Sequence, residues 1–378
     1  MHCKDTILRT QNNWPYSKLI PNSGNYQYQN FGQTSNKGIE FMLKAVLFDT
    51  RKFSLNFNFN IAYNRNKIDK LNQQGSWQNS NWAGSNLALY EDFRIEEGGR
   101  LGEIWGYKTN GFFTAYDPVS NPDGELILNG SNWILKDGIS DNSPTITGGN
   151  YYPGGLKLQC DEHGNPTKQR LGNTIAHTTG GFGFDGHIGN FDFNLFFNYS
   201  LGNKLINGTK LMSAFYANSS SGYSLNDDFA LSKRYTLVDP ETGLNLVKPS
   251  SWSTLLNTYG GENGVIRRLN QMNAHASIYN PATVTTMQLT DYAVEDASFL
   301  RLNNLTIGYT LPQAWTKKCL LENVRVYFTG YNLFVITSYS GADPEVDTSS
   351  KRNLMTPGID YAAYPKSRLF LAGINVTF

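Results

Sequence analysis

The sequence is poor in charge and contains no long apolar run. Charged residues make up only 17% of the 378 residues, and the formal net charge is +1. So small an imbalance excludes binding to nucleic acid or acidic membrane surfaces that is driven by net charge. No stretch of the sequence approaches the roughly 20 apolar residues of a membrane-spanning helix. The N-terminal residues also lack the apolar segment and cleavage site of a signal peptide.

Cysteine is scarce as well. Cys3, Cys160 and Cys319 are widely spaced and odd in number, so they support neither a disulfide framework nor a thiolate metal site. Cys160 and His163 have a ligand-like spacing, but the acidic residues, glycine and asparagine around them are typical of a solvated loop. The histidines are scattered, and no catalytic constellation is present. The sequence therefore predicts no metal, no cofactor and no enzymatic activity.

Aromatic residues are abundant, with 22 Tyr, 22 Phe and 7 Trp beside 36 Gly. The clearest pattern lies in residues 52–66, KFSLNFNFNIAYNRN, where aromatic or aliphatic residues alternate with asparagine or serine. Side chains alternate between two faces along a strand, so one face is apolar and the other amide-rich. The segment is long enough to cross a bilayer, which takes about 9–11 residues of a tilted strand.

The same alternation recurs along the chain. Further strands are expected at residues 38–49, 182–188, 191–200, 298–311, 323–333 and 367–378. Thr50-Arg51 and Gly189-Asn190 are short enough to close tight hairpins. Long polar stretches separate the hairpins, at residues 72–91, 117–170 and 219–290. Short turns that alternate with long loops are typical of outer-membrane β-barrels, although the pattern alone leaves a soluble all-β protein with an aromatic core open.

A set of ordered motifs carries a family resemblance. The motifs are NKGIE at 36–40, GYKTNGFF at 106–113, SFLRLNNLTIGYTLP at 298–312, VYFTGYNLF at 326–334, GADPE at 341–345 and GINVTF at 373–378. In this order they resemble the C-terminal portion of the SusC/RagA family of TonB-dependent outer-membrane transporters from Bacteroidetes. Each motif alone is weak, but the ordered set is specific, and the resemblance runs from about Gly24 to Phe378.

The resemblance implies an all-β fold: an antiparallel transmembrane β-barrel with long extracellular loops. Residues 1–378 are expected to form the C-terminal part of a barrel that has 22 strands in this family, since only about half that number can be counted. The signal peptide, the plug domain and the first barrel strands of such transporters are not found in residues 1–378. The implied location is the outer membrane of a Gram-negative bacterium, and Phe378 resembles the terminal aromatic residue that serves as a barrel-assembly signal.

The implied function is TonB-dependent import of oligosaccharides or peptides. The expected partners are a SusD-like surface lipoprotein, the TonB complex (acting through the missing N-terminal region), outer-membrane lipid and the substrate. This chain would supply barrel wall and extracellular loops. Two other functions stay open, namely a passive outer-membrane pore or adhesin, and a soluble β-rich glycan-binding module.

Aromatic residues in the long polar stretches are the candidate ligand-binding residues. They are Trp77, Trp82, Tyr90, Trp133 and Trp252, with Tyr151 and Tyr152 in the same kind of surroundings. Flat rings beside amides suit stacking on sugars and hydrogen bonds to hydroxyl groups or peptide backbones. The alternative is that these rings pack against their own loops or against a neighbouring protein.

Overall fold

The computed structural model describes residues 2–12, 27–71, 76–78, 91–214, 225–348 and 355–378. The strands are β1 (His2–Asn12), β2 (Gln27–Asp49), β3 (Phe53–Leu71), β4 (Ser76–Gln78), β5 (Phe93–Ile95), β6 (Glu103–Gly106), β7 (Thr109–Phe112), β8 (Leu126–Asn129), β9 (Asn132–Leu135), β10 (Leu156–Leu158), β11 (Gln169–Asn173), β12 (Thr178–Ile188), β13 (Phe191–Leu201), β14 (Lys204–Asn207), β15 (Val294–Asp296), β16 (Phe299–Thr310), β17 (Asn323–Thr337), β18 (Ile359–Asp360) and β19 (Leu369–Thr377). The α-helices are α1 (Ser143–Thr147), α2 (Gly208–Met212), α3 (Trp252–Tyr259), α4 (Glu262–Met272) and α5 (Gln313–Thr316).

The long strands form one antiparallel sheet of eight strands, in the order β1-β2-β3-β12-β13-β16-β17-β19. Short turns close two of its hairpins, as the sequence predicts. Thr50 stabilises the β2–β3 turn, because its backbone N–H donates to the carbonyl of Phe53 at 2.8 Å. Gly189, with a φ of 60°, lies in the two-residue link between β12 and β13. This left-handed conformation favours glycine, which has no Cβ to clash with the backbone.

One face of the sheet is apolar across its width. Residues paired directly across antiparallel strands lie on the same face, so Phe57, Phe184 and Leu195 form one row across β3, β12 and β13. The rings of Phe57 and Phe184 are 5.0 Å apart. The face is not covered by other described parts of the chain, and Ile39 is 74% exposed and Ile374 64% exposed. A contiguous exposed apolar surface of this kind marks contact with lipid or with another protein.

The opposite face of the sheet is polar, and hydrogen bonds cross it from strand to strand. His187 lies on this face opposite Ser54. The strand-to-strand bonds join Ser54 to His187 at 2.5 Å, Asn56 to Asp185 at 2.9 Å, Asn304 to Asn194 at 2.7 Å, and Thr306 to Thr329 at 2.9 Å. The amide and carboxylate side chains on this face thus find hydrogen-bond partners on neighbouring strands of the same sheet.

The connections between the long strands differ in length at the two ends of the sheet. At one end they are residues 50–52, 189–190 and 311–322, the last of which holds α5. At the other end they include residues 72–177, 202–298 and 338–368. The described parts of these long connections pack together into a compact body, which we call the loop lobe.

The loop lobe has hydrophobic cores of its own. The largest core brings β8, β9, α3 and α4 together with residues 113–115 and 235–247. A second core joins Phe93 and Ile104 to Ile206, Leu289 and Ile359. Each core therefore draws residues from connections that are far apart in the sequence. The buried apolar area stabilises the lobe.

A buried ion-pair network ties the loop lobe to the sheet, and we call it the Arg301 clamp. Arg301 of β16 donates to Asp343 at 2.7 Å and to Glu345 at 2.5 Å, and its side chain is 4% exposed. Lys366 pairs with Glu345 at 2.8 Å. The clamp joins the motifs at 298–312 and 341–345, since one supplies the guanidinium and the other the two carboxylates.

The predicted all-β class and the positions of the predicted strands are confirmed, with longer boundaries for several strands. β3 was expected at residues 52–66 but continues to Leu71, because it goes on pairing with β2 and its Ile68 is fully buried under the lobe. The expected polar stretch at 117–170 contains β8, β9, β10 and α1 as parts of the loop lobe. Within the described residues, no helix is both long and apolar enough to span a membrane.

Candidate functional site

A groove of about 460 Å³ opens on the loop lobe and brings together four aromatic residues that the sequence analysis names separately. Trp133 comes from β9, Tyr151 and Tyr152 from the segment after α1, and Trp252 from the first position of α3. The groove thus joins side chains from two different long connections. Because concave sites with aromatic walls and a few polar groups are typical of ligand binding, we treat this aromatic groove as the candidate site.

Trp133 forms the floor of the aromatic groove. Its side chain is 4% exposed and belongs to the largest core of the lobe. The indole N–H donates to the carbonyl of Val247 at 3.3 Å, so its polar atom is already satisfied. These contacts match the alternative that an aromatic residue packs against its own loops.

Trp252 is only partly buried and lies at the rim of the groove. The local sequence fixes its position, because Ser251 caps α3 by accepting a hydrogen bond from the Thr254 N–H at 3.3 Å. A serine in this place satisfies a free N–H at the start of the helix. Trp252 therefore starts a defined helix and presents part of its ring to the groove.

The two tyrosines have different roles. The Tyr151 hydroxyl donates to the carbonyl of Asp141 at 2.9 Å, and its ring meets Phe113 edge-on at 5.7 Å. Burial raises the pKa of Tyr151, so its hydroxyl stays protonated at neutral pH and keeps its hydrogen bond to Asp141. Tyr152 accepts a hydrogen bond from the Asn150 amide at 3.2 Å.

Lys248 adds a positive charge to the groove. Its ammonium group lies 4.1 Å from the centre of the Tyr152 ring, which is within the range of a cation–π contact. Asn132 and Asn150 also line the groove and supply amides. These three residues could not be predicted from the sequence, because neither a lysine nor an asparagine in a polar stretch stands out by type or spacing.

The arrangement can bind a flat or partly apolar ligand that also carries hydroxyl, carbonyl or carboxylate groups. The rings offer faces for stacking, the amides offer donors and acceptors, and Lys248 offers a charge. In the part of the chain that the structure describes, no group of three or more His, Cys, Asp or Glu residues could hold a metal ion. The described residues that line the groove include no His, Asp or Glu that could activate a nucleophile.

The other predicted site residues are not among the described residues that line the groove. Trp77 belongs to the short strand β4, which pairs Trp77 with Arg94 of β5 and of which only the backbone is described. Trp82 and Tyr90 lie outside the described residues. Phe378 directly follows β19 and is 90% exposed. Ligand binding by these residues and by Trp133 and Trp252, and assembly through Phe378, stay predictions.

Comparison with known proteins gives relatives along nearly the whole chain, although no family model matches it. TonB-dependent receptor P3 of Formosa agariphila is 28% identical over 360 residues, which cover 93% of this chain and 29% of the relative. TonB-dependent receptor SusC of Bacteroides thetaiotaomicron is 24% identical over 378 residues, covering 99% of this chain and 30% of the relative. The chain thus spans about a third or less of the length of these curated relatives.

Solved structures give the same picture of the fold. The structure of the RagAB peptide transporter matches with a TM-score of 0.55 and 18% identity, over 94% of this chain and 30% of that chain. The RagAB peptide importer in its "closed-closed" state matches with a TM-score of 0.57 and 19% identity, over 94% of this chain and 31% of that chain. At such low sequence identity, these matches show similarity of fold alone.

Proposed function

We propose that this SusC/RagA-like chain supplies part of the barrel wall and the extracellular loops of a TonB-dependent importer in the outer membrane of a Gram-negative bacterium. The single observation that carries the proposal is the division of the sheet into an exposed apolar face and a hydrogen-bonded polar face. An antiparallel sheet with this division suits a barrel whose apolar face meets lipid and whose polar face lines the lumen. The kinship with TonB-dependent receptors supports the same reading.

The remaining parts of the importer would come from sequence outside this chain. We place residues 1–378 at the C-terminal part of a 22-stranded barrel, with a plug domain that the TonB complex pulls on. The described residues contribute eight strands to the large sheet, and the relatives are about three times as long as the chain. A SusD-like lipoprotein would cover the loop lobe from outside.

The substrate is proposed to be an oligosaccharide or a peptide that contacts the aromatic groove. Both classes combine apolar faces or side chains with hydroxyl or amide groups, which the rings of Trp252 and Tyr152 and the neighbouring amides can bind. The related RagAB complex is a peptide transporter, which supports the peptide class for this chain.

The experiment that tests substrate binding compares Trp252→Ala with Trp315→Ala in the protein purified in detergent. Titration calorimetry with a panel of neutral oligosaccharides and with a tryptic digest of casein provides the readout. For any ligand that binds, Trp252→Ala is expected to weaken binding about tenfold, because aromatic anchors dominate binding energy. Trp315 is also exposed but lies in α5 at the opposite end of the sheet, so its replacement should leave affinity unchanged. Equal affinities of the two variants would remove Trp252 from the site.

The two other functions predict different results. A soluble glycan-binding module would stay monodisperse without detergent, whereas the exposed apolar face predicts that the protein needs detergent. A passive pore or adhesin would work without the TonB complex. Uptake of a labelled substrate that continues after the TonB complex is deleted would therefore favour the passive pore.

A further inference from the structure

Basic residues lie together just beyond the apolar face, at the end of the sheet that carries the loop lobe. The β2–β3 register pairs Lys37 with Arg65, two positions beyond the pair of Ile39 and Tyr63. Since side chains alternate along a strand, the two pairs lie on the same face. Lys37 and Arg65 are both exposed. The apolar face therefore ends at this edge in a pair of positive charges.

The segment 98–101 adds a third basic residue, Arg100, beside β3. Ile68 N–H donates to the carbonyl of Gly99 at 2.9 Å, and Leu101 N–H donates to the Asn66 side chain at 3.1 Å. These bonds hold the segment against the part of β3 that follows Arg65. Burial, and then repulsion by Arg65 and Arg170, lower the pKa of Arg100, which agrees with several guanidinium groups lying close together.

Arg100 has donors that the rest of the described chain leaves unused. Its Nε and Nη2 atoms are buried and have no hydrogen-bond partner among the described residues. The nearby carboxylate of Glu103 already accepts from the Arg100 backbone and pairs with Arg170 at 3.2 Å. Buried donors without an acceptor are costly, so these two donors call for a partner from outside the described chain.

We propose that Arg65 and Arg100, with Lys37 beside them, bind the phosphate head group of a membrane lipid. Phosphate oxygens would accept from guanidinium donors in the charge-assisted geometry that arginine favours. The position argues for a lipid over free phosphate, because the acyl chains could lie along the apolar face below Ile39 and Tyr63. The inference rests on the proposed function in one respect, namely that this face meets the bilayer.

Native mass spectrometry of the detergent-purified protein tests the proposal with three probes. They are dihexanoyl phosphatidic acid, dihexanoyl phosphatidylcholine and inorganic phosphate. Phosphatidic acid is expected to bind most tightly, and the double variant Arg65→Gln/Arg100→Gln is expected to bind it about tenfold more weakly. The single variant Arg65→Gln should show part of the loss, and because Arg65 is exposed it keeps the test valid if the double variant folds poorly.

The matched control is Arg51→Gln, which removes the same charge from an exposed position in the turn at the other end of the sheet. It should bind phosphatidic acid like the unaltered protein. Equal binding by the Arg65 variants and Arg51→Gln would overturn the proposal, and so would inorganic phosphate that binds as tightly as the lipid. A protein that is soluble without detergent would refute the proposed function before any lipid is added, so the two failures are distinguishable.

Discussion

Trp133 and Trp252 lie in one groove, but their neighbours give them different surroundings. Trp133 is enclosed by the lobe core and donates to Val247, while Trp252 starts α3 and keeps part of its ring exposed. The sequence shows two tryptophans in polar stretches and does not indicate which of them is buried. The difference comes from residues about a hundred positions away that fold over Trp133.

Asp239 in the loop lobe provides a pH-dependent prediction. It accepts hydrogen bonds from Arg268 at 2.7 and 2.8 Å and from the Tyr259 hydroxyl at 2.7 Å. The hydrogen bonds from Arg268 hold the pKa of Asp239 well below its usual value. Its stabilising effect is therefore complete at neutral pH and is lost as the pH falls below about 4 toward the lower folded-state pKa. Asp239→Asn should lower the unfolding temperature at neutral pH and weaken the loss of stability in acid, as measured by circular dichroism.

Glu241→Gln is the matched control for Asp239→Asn. Glu241 also pairs with Arg268, at 2.9 Å, but its side chain is 74% exposed. Exposed ion pairs contribute little to stability, so this variant should unfold near the temperature of the unaltered protein. If Asp239→Asn shows the same pH profile as the unaltered protein, the pair does not stabilise the lobe.

At the scale of secondary-structure elements, the Arg301 clamp joins β16 to the connection at 338–368. Arg301→Met should destabilise the protein by about 3–5 kcal/mol, because it leaves buried carboxylates without their counter-charge. Asp343 is the more affected carboxylate, because its side chain is 2% exposed and water cannot replace the lost guanidinium. Urea unfolding measures the change, and limited proteolysis should show faster cleavage at 338–368.

Arg325→Met is the control for Arg301→Met. Arg325 of β17 pairs with Asp192 of β13, and both side chains are about one-third exposed. Water can solvate Asp192 when its partner is removed, so a smaller loss is expected. Losses of equal size would mean that the burial of the clamp does not matter.

The elements differ in how far the sequence could predict them. Alternation over residues 52–66 predicted β3 because one face of a long strand repeats every second residue. The same rule could not locate the end of β3 at Leu71, since beyond Asn64 the lobe buries Asn66 and Ile68, which have the parity of the polar face. The short strands β8 and β9 and helix α4 lie in stretches whose polar composition hides the few residues that enter the core.

At the scale of the whole molecule, the two faces of the sheet should respond differently to a new charge, and the adjacent residues Phe57 and Asn58 allow the comparison. Phe57→Arg places a charge on the apolar face, whereas Asn58→Arg places it on the polar face. In a bilayer, Phe57→Arg should cost up to about 2–4 kcal/mol, and Asn58→Arg should be tolerated. Heat-modifiable mobility on gels, a measure of folded barrel in membranes, is the readout. Similar folded amounts of both variants would argue against lipid contact at Phe57.

The resemblance to the SusC/RagA group and the all-β fold class, both predicted from the sequence, are confirmed by the relatives and the sheet. The loop lobe could not be predicted in the same way. Its largest core joins Phe113 to Leu269, and no local periodicity reports a contact over such a separation. The aromatic groove is a product of that packing, so its aromatic residues were visible in the sequence while its geometry and its polar residues were not.

The unequal connections also bear on how the chain folds. β2 with β3 and β12 with β13 are neighbours in the sequence, so each hairpin can form within microseconds. The pairing of β3 with β12 must instead close residues 72–177, and that of β13 with β16 must close residues 202–298. Contacts between distant residues slow folding because chain entropy is lost before they form. Hairpins should therefore appear first as separate units, and docking of one hairpin to the next should set the rate at which the sheet is completed.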